Sequence, residues 1–509
     1  FGISPMIGIP LGCVGGLIGG ILIGYPTFKL RGVYFALAML AYPLTLLYIF
    51  EWMGYQEPTI PMRTGDEAFW HMQFANPFYN IVVSVVLMSL AIWVSHKIHS
   101  SRFGLSLTAI KQNEAAAESA GLDSAKWKMR AIMVSGALAG LAGGWYAALV
   151  LVVTPNSVFG MLTSSQAMIV TLFGGVSTVW GPVVGSLVLI PTSEIIQATV
   201  GEKLHGIHGV LLGAAIILMM LFAPDGILTK LKSLVFRSNK HADAGTPEVT
   251  VPVRDDTASK RSLSSEIMLD VRGLSVSFGG LQAVADVSFQ VHKGEVLGII
   301  GPNGAGKTTL FNLLNGFIPA SAGEIIFANT NLVGLKPNQV CRLGVGRTFQ
   351  VARPFSRLSV LENVIVGAFA KDADDETARK HALEALGRVG MLGHAEVLAG
   401  GLNSLELRLM ELARVLAGRP DLLLMDETLA GLGADEVEIM LSTLNHLADQ
   451  GQSIVIIEHT MQAMVRLVDR FIVLNHGSVL AAGEPAAVMK DPLVIEAYLG
   501  KKWVNNAEH

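Results

Sequence analysis

Charged residues are distributed very unevenly along this chain, and that distribution limits what its first part can fold into. Residues 1–232 contain 12 Lys or Arg and 10 Asp or Glu, about 9% of the segment, whereas residues 233–509 contain 25 and 31, about 20%. Soluble proteins average about 25% charged residues. The first segment is therefore too poor in charge for a soluble globular domain, and we expect it to lie in a membrane.

Seven apolar stretches in residues 1–232 have the length needed to cross a bilayer as helices. They run roughly over 3–23, 33–50, 77–95, 131–153, 160–178, 182–200 and 207–222. Basic residues favour the loops 24–32 and 96–130 and the segment after residue 222, which the positive-inside rule places in the cytoplasm. We therefore predict an all-α, polytopic membrane bundle. The alternative is that one or two stretches, such as 160–178, are buried or re-entrant.

Two features of this segment indicate how its helices pack and where a candidate functional group lies. Glycines recur every fourth residue over Gly8–Gly24 and over Gly136–Gly144, a spacing that predicts close helix packing. Glu194 lies within the sixth stretch, where a carboxylate is either functional or faces a polar cavity or the membrane surface. The chain begins at Phe1 inside an apolar stretch, and we expect residues to precede it in the natural protein.

The rest of the chain predicts a linker and a soluble domain. Residues 233–265 are polar and contain Pro247 and Pro252, which is typical of a flexible linker. The predicted domains are therefore 1–232 and 266–509, joined by 233–265. A net charge of −4 and two cysteines give no reason to expect nucleic-acid binding or a disulfide framework.

A phosphate-binding loop follows a predicted buried strand at residues 296–300. The strand leads into a G-x-x-x-x-G-K-[ST] motif and then a helical run, which is the setting this motif requires. Backbone N–H groups of such a loop surround phosphate oxygens. We expect Lys307 to neutralise the β- and γ-phosphates and Thr308 to bind Mg²⁺. The nucleotide-binding candidates in this loop are Gly301, Pro302, Asn303, Gly304, Ala305, Gly306, Lys307, Thr308 and Thr309.

Five further residues complete a candidate ATP-hydrolysing site. Asp426 ends an apolar strand and is expected to hold Mg²⁺, and Glu427 beside it is a candidate general base. His459 follows another apolar strand and is a candidate contact to the γ-phosphate, although a lone His is more often structural. Gln350 is a candidate to sense Mg²⁺ or water. Phe278 is a candidate to stack on adenine, with a core Phe as the alternative.

Together these residues resemble the nucleotide-binding domain of ABC transporters over roughly residues 267–502. The phosphate loop matches that family's Walker A motif, Gln350 its Q-loop, Asp426-Glu427 its Walker B motif with the catalytic Glu, and His459 its switch His. Residues 346–350 and 494–500 resemble, more narrowly, the ATPases of branched-chain amino acid importers. The resemblance implies a second domain with an α/β P-loop fold that uses ATP and Mg²⁺.

The membrane segment resembles the permeases of the same importers over about residues 27–230. Within the cytoplasmic loop 102–130, residues 114–121 are similar to the EAA coupling loop of importer permeases. The run itself predicts a short amphipathic helix that can sit in a groove on the ATPase, with a generic charged loop as the alternative. The candidate coupling residues are Glu114, Ala115, Ala116 and Gly121.

One segment departs from the family pattern. The L-S-G-G-Q signature, which in the family binds the ATP held by the partner domain, is replaced here by Leu402-Asn403-Ser404-Leu405-Glu406. Asn403 and Glu406 retain a capping box, so we expect the helix start to survive. Leu405 in place of Gly and the charge of Glu406 predict a weaker signature face. We expect the ATP site that uses this segment to be the slower of two.

The resemblance implies ATP-driven import of small solutes across a bacterial inner membrane by a multi-pass protein whose ATPase domain is cytoplasmic. Branched-chain or related amino acids are the first expected substrates, with urea or another small amide or carboxylate as the alternative. Expected partners are a second permease, a second ATP-binding subunit, an extracytoplasmic substrate-binding protein and lipid. Short spans and the EAA-like loop argue against an exporter. A non-transporting ATP-binding regulatory module is the alternative from another class.

Overall fold

The computed structural model describes residues 4–30, 32–176, 178–200, 264–372 and 374–499, together with a few residues between 210 and 249. Its contacts divide the chain into two compact units. The helical unit comprises Phe1–Gly104 and Ala125–Ala244, and the nucleotide unit comprises Leu105–Ser124 and Gly245–His509. Most of the seventh apolar stretch, 207–222, and nearly all of the predicted linker, 233–265, lie outside the described residues.

Six segments of the described helical unit are long and apolar enough to cross a membrane. Each coincides with one of the first six stretches predicted from the sequence, and those six predictions are confirmed. Short helices α3 (Asp66–Trp70) and α8 (Pro155–Phe159) accompany them. The long helices are α1 Pro5–Thr27, α2 Val33–Trp52, α4 Pro77–His99, α7 Ser124–Val150, α9 Met161–Gly174, which continues from α8, and α10 Gly181–Val200.

Helices α1 and α7 pack backbone to backbone through glycines. A Cβ atom placed on Gly16 would lie 2.1 Å from the carbonyl oxygen of Gly136, and one on Gly140 would lie 2.0 Å from that of Gly12. No side chain tolerates such distances, so these contacts require glycine. The close packing predicted from the glycine spacing is confirmed here, whereas Gly8 faces open space.

Two β-sheets form the framework of the described nucleotide unit. The strands are β1 Ile267–Phe278, β2 Leu281–His292, β3 Val296–Ile300, β4 Ala322–Phe327, β5 Thr330–Asn331, β6 Val345–Arg347, β7 Leu422–Asp426, β8 Ser453–Ile457, β9 Arg470–Asn475 and β10 Ser478–Gly483. The first sheet is antiparallel, with strand order β2-β1-β4-β5. The second has the order β10-β9-β3-β8-β7-β6 and is parallel except for β10.

One hydrophobic core joins both sheets to the helix that follows the phosphate loop. Leu274 of β1, Ile299 of β3 and Leu310 of that helix are fully buried within it. The α-helices of this unit are α5 Arg102–Gln112, which begins in the helical unit, α6 Glu114–Ser119, Lys307–Leu314, Pro337–Leu343, Val360–Ala368, Asp375–Arg388, Ser404–Ala417, Ala434–Asp449, Met461–Leu467, Pro485–Val488 and Pro492–Leu499. The α/β fold predicted for the second domain is confirmed.

The strand order determines where a ligand can bind. Every residue of β3, β7 and β8 is buried, as expected of parallel strands covered on both faces. Because β8 lies between β3 and β7 and runs parallel to both, the carboxyl ends of all three strands lie at the same edge of the sheet. Ligands of open α/β sheets bind outside the carboxyl ends of the strands, and that is where the sequence motifs lie.

Candidate active site

The loop between β3 and the helix Lys307–Leu314 has the conformation that a phosphate cradle requires. Gly304 and Gly306 adopt φ angles of +82° and +98°, which glycine reaches without steric cost. A Cβ on Gly306 would also lie 2.4 Å from the carbonyl oxygen of Ala283. Because the helix begins directly after Gly306, its unpaired N–H groups and its dipole favour an anion at the loop.

Lys307 lies over this loop and is buried. Its Nζ donates hydrogen bonds to the carbonyl oxygens of Gly301, at 2.7 Å, and Pro302, at 3.0 Å. Burial lowers the pKa of its amine, and the carboxylates of Glu427 and Asp426 oppose this shift. The lysine predicted to bind phosphate is therefore close to the two acidic residues at the end of β7.

Asp426 is a buried carboxylate, and one of its two oxygens accepts no hydrogen bond within the described residues. Its Oδ2 lies 3.3 Å from Nη2 of Arg347, and within the described residues Oδ1 receives no hydrogen bond. Burial raises the pKa of Asp426, and the positive charge of Arg347 opposes that shift. A buried carboxylate oxygen without a donor is a suitable ligand for a hard cation such as Mg²⁺.

The three residues predicted to bind Mg²⁺ come together in space. Thr308, Gln350 and Asp426 line one cavity of about 330 Å³ at the carboxyl edge of the second sheet. In the part of the chain that the structure describes, no group of three His, Cys, Asp or Glu side chains could hold a metal. A single carboxylate with hydroxyl and amide oxygens suits Mg²⁺, which usually keeps waters and binds substrate phosphates as well. The residues present therefore fit this ion.

Two of the other predicted catalytic side chains contact Glu427, one at each carboxylate oxygen. Gln350 donates from Nε2 to Oε2 at 2.6 Å, and Nε2 of His459 lies 2.7 Å from Oε1. Glu427 has a positive φ of +47°, an unfavourable conformation for a non-glycine residue that is common at functional sites. The structure thus brings together Glu427, Gln350 and His459, which lie far apart in sequence.

Phe278 lies apart from this group of contacts. It is the last residue of β1 and pairs with Leu281 of β2. Its side chain is 47% exposed, so the core alternative raised for it is wrong. Stacking on adenine remains a prediction.

The altered signature segment begins a regular helix, Ser404–Ala417, which we call the signature helix. Asn403 accepts a hydrogen bond from the backbone of Glu406, and Glu406 accepts one from the backbone of Asn403, both at 2.9 Å. The predicted capping box is therefore confirmed. Glu406 also lies 3.3 Å from Nε2 of buried His394, and both Leu405 and Glu406 are buried.

Sequence reasoning missed three buried charged residues on the signature helix. Arg408 donates to the carbonyl oxygen of Phe349 at 2.9 Å, and Arg414 donates to that of Arg353 at 2.9 Å. Between them, Glu411 pairs with Arg414 at 3.1 Å. Their spacing of three residues places all three side chains on one face of the helix, and this pattern could have indicated their shared role. They fix both ends of the segment that carries Gln350.

The coupling segment within the nucleotide unit forms the predicted helix. Asn113 caps α6 by accepting a hydrogen bond from the backbone of Ala116 at 3.0 Å. Arg342 donates from Nε to the carbonyl oxygen of Gly121 at 3.2 Å. Ala115 lines the same cavity as Gln350 and Asp426. The short helix therefore reaches the side of the nucleotide site, and the generic-loop alternative is wrong.

Comparisons with known proteins agree with both halves of the chain. The family model described as "Branched-chain amino acid transport system / permease component" matches residues 1–220. The "ABC transporter" model matches 284–430, and the "Branched-chain amino acid ATP-binding cassette transporter" model matches 478–503. The ABC transporter match identifies the nucleotide unit as an ATP-binding ATPase cassette.

Among curated relatives, the high-affinity branched-chain amino acid transport ATP-binding protein LivG of Escherichia coli K12 is 38% identical over 256 residues, 47% of this chain and 99% of LivG. The corresponding protein BraF of Pseudomonas aeruginosa is 35% identical over 253 residues, 47% of this chain and 99% of BraF. An ATP-binding cassette of an ABC transporter, solved in its ADP conformation, is 29% identical, covers 47% of this chain and 100% of its own, and has a TM-score of 0.43. The chain belongs to the branched-chain amino acid family of ABC transporters and combines its permease and its ATP-binding cassette in one polypeptide.

Proposed function

We propose that this chain imports branched-chain amino acids through a bacterial inner membrane by hydrolysing ATP. The observation that carries the proposal is the fusion of a branched-chain permease domain to a cassette similar to LivG and BraF. No comparison favours an exporter, a urea transporter or a regulatory module. The proposed domains are 1–232 for the permease and 266–509 for the cytoplasmic ATPase, with 233–265 as the linker.

In the proposed reaction, the phosphate loop and Lys307 bind the β- and γ-phosphates of ATP. Glu427 takes a proton from the attacking water as the water oxygen bonds to the γ-phosphorus, and the bond to the β-phosphate oxygen breaks to release ADP. Gln350 and His459 orient the Glu427 carboxylate, since each contacts one of its oxygens. Phe278 stacks on the adenine.

The proposed cofactor is Mg²⁺, held by Thr308, Asp426 and Gln350. When bound, the ion neutralises negative charge on the phosphate oxygens. The buried Oδ1 of Asp426, which accepts no hydrogen bond within the described residues, and the shared cavity of the three residues support this assignment.

The proposed assembly contains a second permease, a second ATP-binding subunit and an extracytoplasmic substrate-binding protein. The signature segment Asn403, Ser404, Leu405 and Glu406 faces the ATP of the second subunit. The side chain of Leu405 keeps the backbone farther from the phosphate than a glycine would, and Glu406 adds a negative charge near it. That ATP site is therefore proposed to hydrolyse ATP more slowly than the site that contains Lys307 and Glu427. The coupling residues of α6 transmit the closure of the cassettes to the permease.

The test replaces the general base. In proteoliposomes that contain the whole transporter, Glu427→Gln should lower ATP hydrolysis at this site at least about 100-fold and abolish uptake of radiolabelled leucine, while ATP still binds. Glu438→Gln is the matched control, because Glu438 is an exposed carboxylate that pairs with Arg466. Unchanged hydrolysis in Glu427→Gln would remove Glu427 from the mechanism. A wild-type transporter that accumulates none of leucine, isoleucine and valine would overturn the substrate assignment.

A further inference from the structure

The hairpin of α9 and α10 in the helical unit borders an open cavity that ATP hydrolysis does not use. At its closed end the helices touch: a Cβ on Gly185 would lie 2.0 Å from the carbonyl oxygen of Val170. Beyond that contact a cavity of about 350 Å³ opens between them, within the range of about 300–1,000 Å³ typical of small-molecule sites. We call it the α9–α10 wedge.

The wedge has an apolar end and a polar end. Val170 and Leu189 lie nearest the glycine contact, and their aliphatic side chains line the closed end. Thr163, Ser193 and Glu194 line the wedge one to two helical turns farther from that contact, with Gln166 between the two ends. A ligand that fits this surface has an aliphatic group at one end and charged groups at the other.

Glu194 gives the polar end its charge. It lies six residues before the end of α10, about 9 Å from that end at 1.5 Å per residue. Within the described residues, Glu194 makes no hydrogen bond or ion pair. A carboxylate at this depth needs a cation or a water-filled cavity and does not face lipid. The described residues that line the wedge supply hydroxyl and amide groups but no cation, and the ammonium group of a ligand would supply the complementary positive charge.

We propose that the α9–α10 wedge binds the amino acid during translocation, with Glu194 as the counter-ion of its ammonium group. Ser193 and Gln166 donate hydrogen bonds to the substrate carboxylate, and Val170 and Leu189 contact its aliphatic side chain. The second permease closes the open side of the wedge, because these polar groups cannot face lipid. This inference rests on the proposed function, since it assumes that an aliphatic amino acid is the substrate.

The predicted membrane topology agrees with this assignment. The loop 96–130 is placed in the cytoplasm, so α7 runs outward, α9 returns inward and α10 runs outward again. The glycine contact then lies toward the cytoplasm, and the polar end of the wedge opens toward the extracytoplasmic side. An imported amino acid arrives from that side.

The experiment measures ATP-driven uptake of radiolabelled leucine by the whole transporter in proteoliposomes with its binding protein. Glu194→Gln should lower kcat/KM for uptake about 10- to 100-fold, the loss expected when a charged hydrogen bond becomes neutral. Glu194→Asp should retain more activity than Glu194→Gln, because it keeps the charge. Basal ATP hydrolysis should stay at the wild-type level in both variants.

Neighbouring residues on the same helices provide matched controls. Ser193 lines the wedge, whereas the Thr192 hydroxyl donates to the carbonyl oxygen of Val188. Ser193→Ala should therefore lower uptake, and Thr192→Ala should not. Wild-type kcat/KM in both Glu194→Gln and Ser193→Ala would overturn the inference while leaving the proposed function intact. A wild-type transporter that accumulates no aliphatic amino acid would overturn both.

A second measurement applies if Glu194→Gln fails to assemble. Thr163→Cys places a thiol in the wedge, and Ser165→Cys places one two residues away, outside its lining. A positively charged methanethiosulfonate reagent should block leucine uptake in Thr163→Cys, and saturating leucine should slow that reaction several-fold. Neither Ser165→Cys nor the wild type, which contains Cys13 and Cys341, should show leucine protection. Modification of Thr163→Cys at the same rate with and without leucine would contradict the inference.

Discussion

The carboxylate of Glu458 connects the backbone beside His459, the proposed switch histidine, to the loop that follows Glu427, the proposed general base. It is 2% exposed, and Oε1 accepts a hydrogen bond from the backbone of Leu429 at 2.6 Å. Leu429 lies two residues after Glu427, and His459 is the next residue after Glu458. We therefore expect Glu458 to be a positioning residue, because its hydrogen bond fixes the loop after Glu427 relative to the backbone beside His459.

This buried position makes stability depend on pH. Burial raises the pKa of Glu458 from 4.5 to about 7, although the N–H groups of Leu429 and His459 oppose the change. Because the folded state binds this proton more tightly than the unfolded state, the stabilisation is complete below pH 4.5 and is lost as the pH rises through about 7. A tenfold difference in proton affinity between the two states corresponds to about 1.4 kcal/mol.

We expect Glu458→Gln to remove this dependence, because Gln keeps the acceptor for Leu429 and cannot ionise. Between pH 5 and pH 8, the melting temperature of the cassette in the purified transporter should fall less steeply than in the wild type. At pH 8 the variant should be more stable by up to about 3 kcal/mol. Glu384→Gln is the control, because the Glu384 carboxylate is exposed. Identical slopes in the wild type and in Glu458→Gln would contradict the buried, proton-binding state of this carboxyl.

The sequence predicts the candidate catalytic residues better than the residues that position them. Glu427 and His459 each follow an apolar strand, and in a chain that also has a phosphate loop this position makes them candidates for catalysis. Glu458 is also acidic and directly follows the apolar strand β8, but that pattern does not show whether it reacts or positions other residues. Its role depends on burial and on an N–H group 29 residues earlier in the chain, and neither is visible in the sequence.

At the scale of elements, glycine fixes the distance between α1 and α7. Gly140 and Gly143 lie on the same helix but differ in their surroundings. A Cβ on Gly140 would lie 2.0 Å from the carbonyl oxygen of Gly12, whereas one on Gly143 would meet nothing within 4 Å. These two positions form a matched pair for testing whether close backbone packing stabilises the bundle.

Gly140→Ala should force the two helices apart and destabilise the helical unit by about 1–3 kcal/mol, the usual effect of overpacking. Gly143→Ala should be neutral or slightly stabilising, because Ala has the higher helix propensity. The measurement is thermal unfolding of the purified transporter in detergent. Equal melting temperatures for the two variants would show that the glycine contact contributes nothing to stability.

Helices and strands that have one clear sequence pattern of their own are predictable from the sequence. The six described spans and the buried strands β3, β7 and β8 follow from apolar runs of the right length, and α6 follows from its similarity to a coupling loop. The signature helix shows the limit. Asn403 and Glu406 predict its capping box, but the contacts of Arg408 and Arg414 with the Gln350 segment depend on tertiary packing across about 60 residues of sequence.

At the scale of the whole molecule, the proposed coupling segment lies within residues 105–124, which join the two units along the chain, as the predicted linker 233–265 also does. Residues 105–124 belong to the nucleotide unit by their contacts, and they continue directly into α7 of the helical unit. Polar contacts with the cassette include two hydrogen bonds: Arg342 Nε donates to the Gly121 carbonyl oxygen at 3.2 Å, and the Arg357 backbone donates to Gln112 Oε1 at 3.0 Å. Gly121 also has a φ of +86°, a left-handed conformation that favours glycine.

The Arg342 contact therefore allows a direct test of whether residues 105–124 couple ATP hydrolysis to leucine uptake. Arg342→Ala removes a hydrogen bond from a charged donor, which contributes about 1.5–3 kcal/mol, without touching Lys307, Glu427 or His459. We expect ATP hydrolysis to stay within about twofold of the wild type, while leucine taken up per ATP hydrolysed falls several-fold. Arg379→Ala, on an exposed face of Asp375–Arg388, should change neither quantity. If Arg342→Ala lowered hydrolysis and uptake in equal proportion, the contact would support the cassette itself and would not couple it to the permease.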